Sequence, residues 1–413
     1  MKLSLFGRLG MAVFASLTLG LGMTACGGGT IGYMWILGQQ YNQIAGFKID
    51  DYTGNLTQIQ GSPFISNGAT PVSIVVKPGG RYIYVINQGT GGGPTKAGTS
   101  QTVALYSVGG DGVLTFQQTY QTQGYVSQWA QMDSSGTYLY VLDKYAPSYV
   151  ASTGLFNGPN TDGNGGITVF QADSTTGRLT LITNSQTQLN GVNTPFFKVG
   201  PTPFMMKTSG SCLLTLDSNN TISPFTVGSG GQLVFTTTQN FPIGGASNIT
   251  SINGTGSFVF LTDAGANTID GFTLGSACTL TTLQGGNTPN IVGTSNPMYS
   301  FVDSTSKYLY VLNQTTTTTT VGTPFSSISA FTINSSNQEL QAISGSPYTV
   351  GSNPVCMVED PSNQYIYISN HNDGTVTGKL LDPTTGILSS LSRGSTFTSA
   401  GLAGCLALSG AVN

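Results

Sequence analysis

Tyr84-Val85-Ile86-Asn87, an aromatic and β-branched run ending in an Asx residue, recurs along the chain. Its copies are Tyr140-Val141-Leu142-Asp143, Leu214-Thr215-Leu216-Asp217, Phe260-Leu261-Thr262-Asp263, Tyr310-Val311-Leu312-Asn313 and Tyr367-Ile368-Ser369-Asn370. Trp35-Ile36-Leu37-Gly38 is a seventh copy without the Asx. Successive copies are 49, 56, 74, 46, 50 and 57 residues apart, the length of one four-stranded blade with insertions.

Other strands recur in register with this one. An apolar run, often opened by Pro, precedes most copies: Pro71-Val72-Ser73-Ile74, Pro203-Phe204-Met205, Pro297-Met298-Tyr299 and Pro354-Val355-Cys356. A third strand follows, as in Val103-Ala104-Leu105-Tyr106, and a turn plus Leu opens a fourth, as in Arg178-Leu179 and Glu339-Leu340. The spacing therefore predicts an all-β, seven-bladed β-propeller of four-stranded antiparallel blades. The first repeat starts at its second strand, near Tyr33, and the chain ends in Gly401-Leu402-Ala403-Gly404-Cys405-Leu406-Ala407-Leu408. This tail is the missing innermost strand of blade one, so the ring is expected to be closed by the C-terminal strand, which removes exposed sheet edges.

Composition narrows the function classes. Only 7% of the 413 residues are charged, with 13 Lys plus Arg, 16 Asp plus Glu, one His and a net charge of −3. That lacks the basic face that nucleic acid demands, so no nucleic-acid partner is expected. Lys2 and Arg8 precede an apolar run, Leu9 to Leu21, that is short for a membrane span. It ends at Met23-Thr24-Ala25-Cys26, which resembles the lipobox of bacterial lipoproteins. The expected division is a signal peptide at 1–25, a Gly-rich tether at 26–32 and the propeller at 33–413. Cys26 is the lipidation site, which implies a cell-envelope protein tied to a membrane by lipid, the outer membrane being favoured.

The repeat resembles the YVTN-type seven-bladed β-propellers grouped with the β-propeller lactonases, the 6-phosphogluconolactonase-like family, over about Tyr33 to Leu408. The resemblance implies the fold, and as an activity the hydrolysis of a sugar lactone. Members are thought to use His, Arg and Glu near the channel, and a complete set cannot be matched here.

Loops that follow second strands, and connections between blades, share the face at the channel mouth. The long segments 89–100, 145–165, 184–202 and 314–327 fall there, whereas Pro78-Gly79-Gly80 and Ser134-Ser135-Gly136 are tight turns on the other face. Asn87, Asp143, Asp217, Asp263, Asn313 and Asn370 form a polar ring. Its repetition in every blade favours capping of backbone amides over gathering a ligand in the channel. His371, in Asn370-His371-Asn372-Asp373, is the candidate general base, with Asp373 to orient it. Lys144, Lys198 and Lys207 are the mouth-side cations, Lys144 or Lys207 being the candidate to hold a substrate anion. Tyr145 joins the Asx ring as a binding candidate. With Cys26 lipidated, four cysteines remain, and Cys356–Cys405 and Cys212–Cys278 are candidate disulfides. No metal site and no cofactor are indicated.

The leading functional expectation is a non-catalytic binding or scaffold protein that presents its mouth face to a glycan, peptide or envelope-protein partner. The alternative is a lactonase that opens a sugar lactone with water.

Overall fold

The computed structural model describes residues 29–158, 161–235, 241–242, 246–283, 296–314 and 326–410. The signal segment with Cys26 and the Thr315–Thr320 tract lie outside the described residues. Seven antiparallel sheets are arranged so that the innermost strands touch in the order of the blades, and the last touches the first. Four-stranded blades two and five are joined by five blades in which a short fifth segment pairs with the third strand. In blade one, for example, Phe64–Ile65 pairs with Gln43 and Ile44.

The ring closes as the tail sequence predicts. Ala403–Gly410 pairs antiparallel with Thr30–Gly38, setting Trp35 opposite Ala407, Ile36 opposite Leu406 and Gly38 opposite Ala403. Blade one begins at Thr30, so the last residues of the expected tether already belong to a strand.

The recurring run is apolar at both parities because its strand is buried on both faces. Ile83 and Val85 pack with Trp35 and Ile44 of blade one. Tyr84 and Ile86 pack with Leu139 and Val141 of blade three. Each second strand thus feeds two inter-blade cores, whereas the innermost strand Tyr125–Met132 alternates buried and half-buried residues and the outer strand Leu114–Tyr120 is mostly exposed.

In four copies the aromatic that opens the run is a strut between blades, whereas the buried Tyr140 hydroxyl of blade three has no hydrogen-bond partner among the described residues and blade five has Phe260. Trp35 Nε1 donates to the Gly112 carbonyl at 3.2 Å, and the Tyr84 hydroxyl to that of Gly177 at 2.7 Å. Tyr310 donates to Gly386 at 2.9 Å and Tyr367 to Gly54 at 2.6 Å. Each acceptor lies in the outer turn of the following blade. Every strut crosses an apolar interface, where a satisfied hydrogen bond is worth about 1 kcal/mol and an orphaned carbonyl costs more.

Blade four has Leu214 in this place and no hydroxyl to offer. There Cys212 and Cys278 are bonded, with Cα atoms 5.6 Å apart, and join blade four to the outer turn of blade five. Cys356 and Cys405 are bonded at a Cα separation of 5.2 Å, across the seam between blades seven and one. Inner strands converge on the axis, which brings like positions of adjacent blades within disulfide reach.

Candidate functional site

The Asx ring is buried and its hydrogen bonds run inside the blades. Asp143 accepts from Ser127 Oγ at 2.7 Å, Thr168 Oγ1 at 2.8 Å and the Gly124 amide at 3.2 Å. Asp217 takes the amides of Asn219 and Thr221, and Asp263 those of Ser247, Asn248, Gly265 and Ala266. Asn87 donates to Ser66 O and Thr102 Oγ1, Asn313 to Ser327 and Ser329, and Asn370 to Thr375 and Thr377. The chain leading into the next strand crosses directly over these side chains. A Cβ on Gly68 would stand 2.4 Å from Asn87, and one on Gly124 would stand 2.5 Å from Asp143. Groups so enclosed bind strands together rather than a ligand at the mouth.

His371 follows the Asx of blade seven, as Gln88 and Gln314 do in blades two and six. All three amides donate to equivalent carbonyls, those of Asn353, Thr70 and Asn296. All three side chains also reach the residue of the next innermost strand that pairs with the last residue of the recurring run in that blade. Gln88 Nε2 donates to Ser127 O at 3.4 Å and Gln314 Nε2 to Pro354 O at 3.0 Å, and His371 Nδ1 lies 3.0 Å from Ala403 O. A carbonyl only accepts, so Nδ1 carries the proton. His371 is therefore a clasp across the ring seam, chemically parallel to two glutamines that cannot act as bases.

The other members of the expected catalytic set do not join it. Asp373 accepts the Ser352 amide on both oxygens, at 2.9 and 2.8 Å, and the Ala403 carbonyl orients His371 in its place. Lys144 stands in blade three, with blades one and two between it and His371, and its ammonium lies 5.7 Å from the Tyr145 ring centroid. Lys198 is paired with Asp162. The mouth segments add two hairpins outside the blades, Ser148–Val150 with Leu155–Gly158 and Asn184–Leu189 with Val192–Thr194.

Lys207 is placed differently from the sequence expectation. It is the fifth residue of the innermost strand Pro203–Ser209, which runs from the mouth towards the tight-turn face. It lines a central cavity of about 280 Å³ together with Trp129, Asn253, Tyr299, Val358 and Leu406. It also borders a second cavity of about 440 Å³, which opens at the turn face between Ser134, Ser209 and Thr255. Its ammonium has no hydrogen bond or ion pair among the described residues. Desolvation holds its pKa below the ordinary lysine range. Burial pushes the Tyr299 phenol up to about 12. Asn253 is occupied, donating to Ser300 O at 2.7 Å and accepting from the Gly254 amide at 2.8 Å.

Glu359 ends the innermost strand of blade seven on the turn face, where burial pushes its carboxyl up to about 7 against the Ser304 amide it accepts. Sequence reasoning passed over Tyr299 as a site residue. Its signal was a phenol at the third residue of an inner strand, directed at the axis. No group of three or more metal-ligating side chains occurs among the described residues, and no described helix is long and apolar enough to cross a membrane.

Residues 30–151 and 281–393 match the family model described as Lactonase, 7-bladed beta-propeller. The segment 152–280 between them, from the turn of the first mouth hairpin to the start of the last strand of blade five, is not matched. No curated protein matches the chain. Among solved structures, the periplasmic gluconolactonase of Pseudomonas aeruginosa is 14% identical, with a TM-score of 0.67 over 92% of this chain and 100% of that one. A Bacteroides fragilis protein provisionally named a 6-phosphogluconolactonase is 16% identical, with a TM-score of 0.67 over 92% and 98%. A Lactobacillus plantarum protein is 13% identical, with a TM-score of 0.67 over 92% and 100%. At these identities the likeness is one of fold.

Proposed function

The chain belongs to the seven-bladed β-propeller lactonase family, and from that premise we propose that it is a lactone hydrolase whose site is the central channel. Family membership favours this over the non-catalytic binding role that the sparse ionisable groups first suggested. The observation that carries the reading is the central cavity, a space of mixed polar and apolar lining with an unpaired amine, Lys207, and a partly buried phenol, Tyr299, in its wall. A concave site with a few convergent polar groups of shifted pKa is a candidate small-molecule site.

Neither cavity wall contains Arg, and Lys207 is the cation common to both. A phosphoryl group is usually held by several charge-assisted donors. The proposed substrate is therefore a small unphosphorylated sugar lactone. Ring opening releases a proton as the carboxylic acid ionises, so proton release in weak buffer at neutral pH measures it. Turnover of an aldonolactone above the spontaneous rate, with the phosphorylated counterpart slower, supports the reading. Absence of turnover across five- and six-membered lactones refutes it.

Export and lipid attachment at Cys26 belong to the same proposal. Their test is fractionation, with the wild-type chain sedimenting with membranes and Cys26→Ser released.

A further inference from the structure

Lys207 is a charge-bearing group that the fold does not explain. Two other lysines have partners: Lys77 Nζ donates to the Gly136 carbonyl at 2.5 Å, and Lys198 on the mouth side is paired with Asp162. The central cavity wall contains no carboxylate to neutralise Lys207. Desolvating an amine without a partner costs stability, and an apolar side chain of similar length would fill the space without that cost. The physical consequence of this placement is an amine that gives up its proton more readily than an exposed lysine, at the wall of the cavity.

Tyr299 supplies the complement. It is the third residue of Pro297–Val302, the innermost strand of blade six, and lines the same cavity. Its phenol remains protonated across the neutral range and can donate a hydrogen bond. Between them stands blade five, where the committed amide of Asn253 and the Ser251–Ser300 hydroxyl contact at 2.9 Å hold the wall. The cavity thus offers a candidate base in Lys207 and a phenolic donor in Tyr299, beside the Trp129 indole and the Gln131 amide.

We propose that Lys207 is the general base of lactone hydrolysis and that Tyr299 donates to the lactone carbonyl oxygen. This deepens the lactone-hydrolase reading and rests on it. Water attacks the carbonyl carbon as one of its protons passes to Lys207 Nζ, and the Tyr299 hydroxyl stabilises the oxyanion that forms. The tetrahedral adduct collapses with cleavage of the ring C–O bond, and the Lys207 ammonium returns the proton to the departing alkoxide oxygen. The hydroxy acid then ionises to solvent, so one lactone and one water yield one hydroxycarboxylate and one proton. Because Lys207 borders the second cavity, substrate and water approach from the tight-turn face.

The other titratable groups around this amine are few. Asp133, in the turn-face cavity, is engaged by the Ser135 and Tyr138 amides, and Lys77 is bonded to the same turn at Gly136. Glu359 lies at the end of the blade-seven wall strand that contributes Val358.

Two measurements on the full chain test the proposal. In reductive methylation with formaldehyde and cyanoborohydride at pH 7, followed by peptide mass spectrometry, Lys207 should react at least ~10-fold faster than an exposed lysine such as Lys96. Equal or slower labelling overturns the proposal, even if lactones are hydrolysed. In kinetics on an aldonolactone, Lys207→Met should lower kcat/KM by about 10²–10⁴-fold, the range of general-base catalysis. Lys207→Arg should fail similarly, because a guanidinium stays protonated. Thermal unfolding must show both variants folded, and Tyr299→Phe should lower kcat more than it raises KM. Undiminished hydrolysis in folded Lys207→Met overturns the assignment and leaves the lactonase reading intact. If wild type hydrolyses no lactone, the reading falls and this role falls with it, whatever the labelling shows.

Discussion

Replacing Asp143 by Asn should flatten the pH dependence of folding stability, and the size of the effect follows from its surroundings. The carboxylate is fully buried, and burial pushes its pKa up to about 6 despite donors from Ser127, Thr168 and Gly124. The ordinary value is about 3.9. A raised folded value means that the native state holds the proton more tightly than the unfolded chain. Stability associated with this group is therefore full below about pH 4 and is lost as pH rises through about 6, a difference of about 3 kcal/mol. Asn avoids the ionisation and fits the place, since Asn87, Asn313 and Asn370 occupy it in blades two, six and seven. Its Oδ1 can accept from Gly124 and Thr168 while Nδ2 donates to Ser127.

Urea unfolding between pH 4.5 and 7.5, followed through Trp35 and Trp129, is the assay. The variant should gain on wild type as pH rises, levelling off by about pH 7. Asp263 provides the control of opposite sign. Burial there is outweighed by the Ser247, Ala266 and Asn248 amides, which lower its carboxyl pKa. Its contribution is present above the ordinary value and is lost as pH falls through the lowered one. Asp263→Asn should therefore weaken the fold at neutral pH and converge with wild type in acid. Parallel profiles for wild type and both variants would refute the electrostatic reasoning.

The seam clasp predicts that His371→Gln leaves thermal unfolding and lactone turnover unchanged, because Gln does the same work in blades two and six. His371→Ala should cost about 1 kcal/mol in denaturant unfolding. Loss of turnover in a folded His371→Gln would return the chemistry to the mouth face. Cys212→Ser with Cys278→Ser should cost about 2–5 kcal/mol while retaining turnover, and free thiols at both positions in wild-type non-reducing mass spectrometry would contradict the bond. Ending the chain at Leu402 removes the strand that pairs with Thr30–Gly38, and should abolish cooperative unfolding; an unaltered transition would show that the ring does not depend on its closing strand.

The fold was legible because its information is local and repeated. Seven copies of one strand, each followed by a turn and a Leu, leave a single arrangement in which the orphan tail completes blade one. The struts were also within reach: Trp35, Tyr84, Tyr310 and Tyr367 open four copies, and the blade-four copy, Leu214, falls beside Cys212. Local sequence did not show where those hydroxyls land, because each acceptor belongs to the following blade. The site was harder to read for the same reason. His371 looked singular as the chain's one imidazole, and alignment on its own repeat, against Gln88 and Gln314, shows an ordinary clasp. Lys207 was assigned to the mouth side together with Lys144 and Lys198. Five residues of extended chain, with a register shift after Pro203, carry it to the far half of the channel. Tyr299 needs the axis to acquire meaning, since its burial comes from other blades.

The most direct test of a channel site is the position of a slowly hydrolysed lactam analogue in crystals of the full chain. Density between Lys207 and Tyr299 in the central cavity is the predicted result. Density confined to the mouth segments beside His371 and Lys144, with the channel unchanged, would contradict it.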